Sequence, residues 1–224
     1  MNPDFIATLL LTGKLAGLTT VILFFLGFPL AYLLAFMRFR FKAFVEALIN
    51  MPLVLPPTVL GFYLLVAYSP QHLPGSILEE WFGLRLAFTF EGILISSVLF
   101  SLPFMIQPLQ NGLKAIPSSY KEAAYTLGKS RFETFLKVLV PNMKPSIITA
   151  IAMTFAHCIG EFGVIIMVGG NMPGETRVAS IAIYDEVQAL NYEVANQYSM
   201  VLFILSVGLL TLIYSINGST KKGQ

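Results

Sequence analysis

The chain has 224 residues, of which 56% are hydrophobic and 12% charged, with a mean hydropathy of +0.75 and a formal net charge of +2. That balance excludes a water-soluble domain of ordinary composition, in which about a quarter of the residues are charged, and it offers no electrostatic footprint for a nucleic-acid partner. A single cysteine, Cys158, excludes an intrachain disulfide and a cysteine-cluster metal site.

A bilayer core takes roughly 20 apolar residues per spanning helix. The first such stretch is 15–37, and the basic residues Arg38, Arg40 and Lys42 follow it. The residues before it, "MNPDFIATLLLTGK", carry neither a basic leader nor a small-residue cleavage site, so they read as retained. A second span covers 51–68 and contains the pair Pro56-Pro57; a loop at about 69–91 follows, with Trp81 and Phe82 as aromatic anchors at the interface. The third span is 92–113. Between 114 and 144 lie six basic residues and the stretch "IPSSYKEAAYTLGKSRFETFLKVLVP". A fourth span, about 145–168, is apolar except for His157 and Glu161, a loop at about 169–197 follows, and a fifth span at 198–217 leads to Lys221 and Lys222. Prolines recur in or beside these spans, Pro29, Pro52, Pro103, Pro108, Pro141 and Pro145 among them. They are read either as shaping the bundle or as breaking helices along a pathway.

Five spans place the termini on opposite sides of the membrane. Eleven of the fourteen basic residues fall on one side, against Lys14, Arg85 and Arg177 on the other. Cytoplasmic loops are enriched in such residues, so the N-terminus is expected outside and the C-terminus in the cytoplasm. Neither loop is long enough to fold alone, which makes the chain a single membrane domain, residues 1–224, of all-α class.

The charged stretch reads as a helix, a turn and a second helix. Ser119 with Glu122, and Ser130 with Glu133, have capping-box spacing; Gly128 is placed to end the first helix and Pro141 the second. Ala123 and Ala124 leave a low-relief face on the first helix, while Phe132, Phe135, Leu136 and Leu139 make an apolar stripe on the second. Gly128-Lys129-Ser130 imitates part of a phosphate-binding loop, but Ala123 stands where that pattern requires glycine and no strand precedes it. A DNA-binding helix pair fits less well still, because both ends are tethered close to the bilayer and could hardly enter a major groove. A docking surface for another protein remains, with a partnerless juxtamembrane hairpin as the plainer alternative.

The run Glu122-Ala123-Ala124, three residues, Gly128, nine residues, then Val138-Leu139-Val140-Pro141 resembles the EAA motif of bacterial ATP-binding-cassette importer permeases, with valines in place of the usual Ile and Leu. In that family the first short helix is the coupling helix. The resemblance therefore implies that Glu122, Ala123, Ala124 and Gly128 receive a cytoplasmic ATP-binding subunit. "MPLVLPPTVLGFYLL", "SLPFMIQPLQNGLKAIP" and "IGEFGVIIMVGGNMPGETRVASIAIYDEVQ" resemble the molybdate branch of these permeases over nearly the whole chain, and sulfate permeases are the nearest alternative. This implies a homodimer in the cell inner membrane, two ATP-binding subunits, an external molybdate-binding protein and lipid as partners, no nucleic acid, and no cofactor, metal or catalytic residue of its own.

Neutral polar residues in the spans, Thr58, Ser97, Ser101, Gln107, Thr149 and Thr154, are candidates for a path taken by a tetrahedral anion, although such groups often bond their own helix instead. Glu161 reads as the one carboxylate within a span. Three readings stand: packing at the helix end, pairing with a cation such as Arg177, or part of a closed gate. The resemblance places Gly160, Glu161, Phe162 and Gly163 near the gate. His157, four residues earlier, has the spacing to meet Glu161 but is better read as a packing residue. A membrane-embedded enzyme would have only His157, Cys158 and Glu161 to work with, and a passive channel would leave the EAA segment unexplained.

Overall fold

The computed structural model describes residues 3–220, and every regular element among them is a helix. Three helices are long and apolar enough to cross a membrane, or five if each of two bent pairs is one span. Helix α1 (Pro3–Phe36) has 34 residues and is therefore about 50 Å long at 1.5 Å per residue. It begins well before the expected start at 15. Nothing between Pro3 and Lys14 breaks a helix, and its first turns have a surface to bury against: Phe5 meets Tyr198 with ring centroids 4.5 Å apart.

After α2 (Lys42–Asn50) and a 3-10 turn at Met51–Leu53, the chain turns through 110° into α3 (Pro57–Tyr68). The second expected span is thus two helices meeting at an angle. Pro56 sits in extended conformation and Pro57 occupies the first turn of α3, so the proline pair withholds the donors that would have continued α2. A short helix, α4 (Gly75–Phe82), lies in the following loop; Trp81 on it is 78% exposed, and the side chain of Phe82 lies outside the described residues.

The centre of the bundle is α5 (Phe90–Ala115), started by the Thr89 hydroxyl, which accepts the Gly92 N–H at 3.2 Å. Pro103 and Pro108 lie inside it without ending it. On one half α5 packs with α1 through Leu23, Leu34, Met105, Ile106, Leu109 and Leu113. On the other it packs against Ile165 and Val168 of the short helix Gly163–Gly169. Lipid is as apolar as these side chains, so close approach and fit hold such helices together rather than escape from water.

The charged stretch folds into α6 (Ser118–Thr126) and a second arm made of α7 (Arg131–Thr134), a π turn at Phe135–Leu139 and α8 (Val140–Asn142). A 75° bend leads into α9 (Lys144–Gly160). Two expectations are corrected here. Ser119 does not cap α6: the helix begins at Ser118 behind Pro117, with no side-chain cap. Pro141 does not stop the second arm, which continues to Asn142. The π turn explains this. An α-helical Pro141 would strike the Lys137 carbonyl four residues back, and the π turn widens the ladder there, with Val140 N–H bonded to Phe135 O.

The fourth expected span is also broken. Helix α9 ends at Gly160, Glu161 is extended, and α10 (Gly163–Gly169) starts two residues later. Then come α11 (Ala179–Gln188) and α12 (Tyr192–Thr220), which contains the fifth span. Helix α11 has no cap of its own; the Thr12 hydroxyl of α1 accepts the Ala179 N–H at 2.8 Å. Lys221 and Lys222 lie outside the described residues.

Candidate functional site

The hairpin at 118–142 is closed by hydrogen bonds at its turn, and its second arm packs into the core beside α1. Gly128 has φ +74, and its N–H bonds Tyr125 O while the Lys129 N–H bonds Ala124 O, both at 3.0 Å. This is the paired closure of a left-handed helix end, for which glycine is suited because it has no Cβ to clash. Ser130 and Glu133 form the expected capping box. Lys137 and then Lys129, 3.1 and 3.6 Å from the Glu133 carboxylate, hold that carboxyl below its usual range together with the Ser130 N–H. The second arm is anchored to α1: Phe135 packs edge-on against Phe28 at 5.4 Å and Tyr32 at 5.3 Å. Lys121 lies 3.7 Å over the Phe36 ring.

The four residues singled out on this hairpin do not share one environment. Glu122, Ala123 and Gly128 are exposed, whereas Ala124 is buried against the second arm. Leu139 is also buried, but the rest of the expected apolar stripe divides, with Phe132 and Leu136 left open. Around the turn, Tyr120, Tyr125, Leu127 (79% exposed) and Phe132 (70% exposed) leave a patch of large apolar side chains uncovered. A groove of about 510 Å³ runs between the arms, lined by Tyr120, Ala123, Leu127 and Val138 among others.

The second candidate region is the break at 160–163. Gly163 lies so close to α3 that a Cβ there would come 2.6 Å from Pro57, and one on Gly61 would come 2.7 Å from Met167. Thr58 is exposed at the start of α3, beside Gly163. Phe162 packs on Tyr184 of α11 with centroids 5.1 Å apart, and the Ser180 hydroxyl donates to the Glu161 carbonyl. Thus the structure brings Thr58 together with Gly163, whereas Ser101 lies elsewhere, fully buried with its hydroxyl 3.2 Å from Cys158 Sγ.

Glu161 is 4% exposed, and neither carboxyl oxygen has a hydrogen-bond partner among the described residues. It does not pair with Arg177, which lies 3.4 Å from Asp185 and 3.7 Å from Glu186. Nor does it meet His157 as successive turns of a helix would, because the helix ends between them. The His157 ring instead stacks on Phe104 with centroids 3.9 Å apart. Sequence reasoning also passed over Glu46. On α2, within the first bent pair, its carboxylate accepts from Gln110 at 2.8 Å, while Asn50 accepts from Gln107 at 2.6 Å. The four-residue spacing of Glu46 and Asn50, set against Gln107 and Gln110, is the signal that would have found this bridge.

An all-α bundle of apolar, proline-broken helices with a charged helical hairpin between its spans is the fold of the membrane subunits of ATP-binding-cassette importers. The chain spans 99% of itself and 80% of its counterpart in a bacterial transporter that imports the acidic polysaccharide alginate, with a TM-score of 0.77 at 17% identity. Against the MetNI methionine transporter in an inward-facing conformation the score is 0.69 at 19% identity, covering 96% of this chain and 97% of that one.

The chain belongs to the family of binding-protein-dependent transport system inner membrane components, whose model matches residues 27–217. It is 46% identical to the molybdenum transport system permease protein ModB of Azotobacter vinelandii over 211 residues, 94% of this chain and 93% of that protein. It is 32% identical to a probable sulfate transport system permease of Chlorella vulgaris over 212 residues, 95% of this chain and 79% of that one.

Proposed function

We propose that this chain is the permease subunit of an ATP-driven importer that carries molybdate across the cell inner membrane. The observation that supports this reading best is the hairpin. Tyr120, Tyr125, Leu127 and Phe132 stand uncovered among the charged residues of the hairpin, and exposed apolar patches rimmed by polar residues mark interaction surfaces. In this reading two ATP-binding subunits seat on Glu122, Ala123 and Gly128 of two copies of the chain, with Ala124 supporting the helix from behind. A binding protein delivers the oxyanion on the opposite face. The N-terminus lies outside and the C-terminus in the cytoplasm, in keeping with the distribution of basic residues. Residues 160–163 and Thr58 form the gate, and closing or opening the ATP-binding subunits biases two arrangements of the helices.

Uptake of labelled molybdate into vesicles containing the chain, its ATPase and its binding protein tests the reading. Uptake is expected only with ATP on the hairpin side, and it should resist excess sulfate. Uptake without ATP would replace the permease by a channel, and equal competition by sulfate would transfer the cargo to the sulfate class.

A further inference from the structure

Buried polar groups in folded proteins almost always find partners, and one left without costs about 1–3 kcal/mol. Among the described residues nine buried side-chain polar atoms have none. Six of the nine lie along a single seam: Thr19 Oγ1 on α1, Ser97 Oγ on α5, Thr154 Oγ1 and His157 Nε2 on α9, and both carboxyl oxygens of Glu161 just beyond α9. The Ser97 hydroxyl faces the Glu161 carboxyl without closing a hydrogen bond, and the Thr19 hydroxyl faces Cys158 in the same way. Thr154, Cys158 and Glu161 are separated by four and three residues, one row along α9 and its end. Ser97 and Ser101 make the matching row on α5. Such a concentration of orphaned groups, against three scattered elsewhere among the described residues, marks a contact formed at a cost.

The neighbouring contacts are of the opposite kind. Helices α3 and α10 interlock through Gly61 and Gly163 with no space for a methyl group, and Gly169 is wedged against Ile93 and Thr176. The helix breaks just before that block, where Ser180 holds the Glu161 carbonyl and Phe162 packs on Tyr184. A Cβ at Gly160 would meet nothing within 4 Å, and Glu161 and Phe162 are the two non-helical residues between α9 and α10.

We infer that the seam between the C-terminal turns of α9 and helices α1 and α5 is the surface that parts during transport, with Glu161 as its positioning residue. In the arrangement seen here the seam is closed, with these groups unpartnered among the described residues, and in the alternative one it opens to water. In this account α3 and α10 move as one block about residues 160–162. The gain in hydrogen bonding on opening offsets the lost packing, so the two arrangements lie close enough in free energy for nucleotide binding elsewhere to choose between them. The inference rests on the permease reading above.

Cys158, the only cysteine of the chain, sits in this seam at 1% exposure and reports its opening. The experiment uses the permease assembled with its ATPase in lipid vesicles, with its binding protein present on the opposite face. Labelling of Cys158 by methanethiosulfonate ethylammonium is followed by peptide mass spectrometry, nucleotide-free and trapped with ATP and vanadate. The two states are expected to differ in labelling rate by about 5- to 150-fold, the range of an ordinary coupling between sites. Equal, slow labelling in both states, in vesicles that still import molybdate with ATP, would overturn the inference and leave the permease reading intact. Failure of ATP-dependent import by the wild type would overturn both.

Glu161→Leu relieves the orphaned carboxyl and should hold the seam shut. Labelling of Cys158 should then be slow in both states and import lost, while the ATPase still co-purifies. A Glu161→Leu protein that imports normally and keeps the state-dependent labelling would remove Glu161 from the device. Should that variant fail to assemble, Ser97→Ala takes its place with the same expected loss of state dependence, and unchanged labelling there counts against the inference in the same way.

Discussion

Gly128 is the residue on which the docking hairpin turns. Its φ of +74 costs an L-residue about 1–2 kcal/mol, while a Cβ there would meet nothing within 4 Å. Gly128→Ala is therefore expected to strain the turn without creating a clash, and to weaken co-purification of the ATPase by about 5- to 30-fold, the ratio that this energy commands. Gly128→Asp should abolish it while the protein still inserts into the membrane. Undiminished capture of the ATPase by Gly128→Asp would show that the turn does not set the docking geometry. Gly128 was legible in the sequence because a glycine between two capping signals has few other uses. Ser119 was misleading for a related reason: the capping spacing is present, but Pro117 already supplies an extended residue ahead of the helix and Ser118 takes its first position.

At the scale of the element, the interlock of α3 with α10 carries a quantitative expectation. A methyl group at Gly61 would come 2.7 Å from Met167 Cβ and 3.2 Å from the Val164 backbone, so the two helices would have to separate. Overpacking of this kind costs about 1–3 kcal/mol. Gly61→Ala should lower the melting temperature in detergent, whereas Gly208→Ala on α12, where a Cβ meets nothing within 4 Å, should leave it unchanged or raise it. Equal effects at the two positions would mean that the close approach is not what holds the pair. Apolar length alone outlined the spans but not their bends. Pro56-Pro57 was visible as a disruption, yet its 110° result depends on α3 having the surface of α10 to lie against. The break at Glu161 has no proline to announce it, and the π turn before Pro141 has no signature beyond the proline itself.

For the whole molecule, the open question is what faces the uncovered side of α3. Val54 is 85% exposed, and Phe62 and Tyr63 stand open on the same short helical segment as Thr58. A second copy of the chain meeting this face would enclose a path between the copies, with the proline bend and the 160–163 break beside it. Thr58→Cys is expected to cross-link two chains under mild oxidation in membranes, and combining it with Cys158→Ser assigns the bond to position 58. Exclusively monomeric product at low and high oxidant would place lipid on this face and move the path elsewhere.

By itself the sequence determined the class: apolar runs of spanning length, basic residues gathered on one side, and a charged helical hairpin whose motif has few rivals. These are local properties, set by the transfer of side chains between lipid and water and by the geometry of helix ends, and they need no knowledge of neighbours. The tertiary structure alone decided that Arg177 is taken by Asp185 and Glu186, that Ala124 turns inward, that Glu46 is satisfied by Gln110, and that Glu161 is left facing Ser97 without a hydrogen bond. Each depends on which helices lie side by side. Inside a membrane that choice follows from how closely backbones can approach, through glycines and kinks, rather than from hydrophobicity, which differs little from one spanning helix to the next.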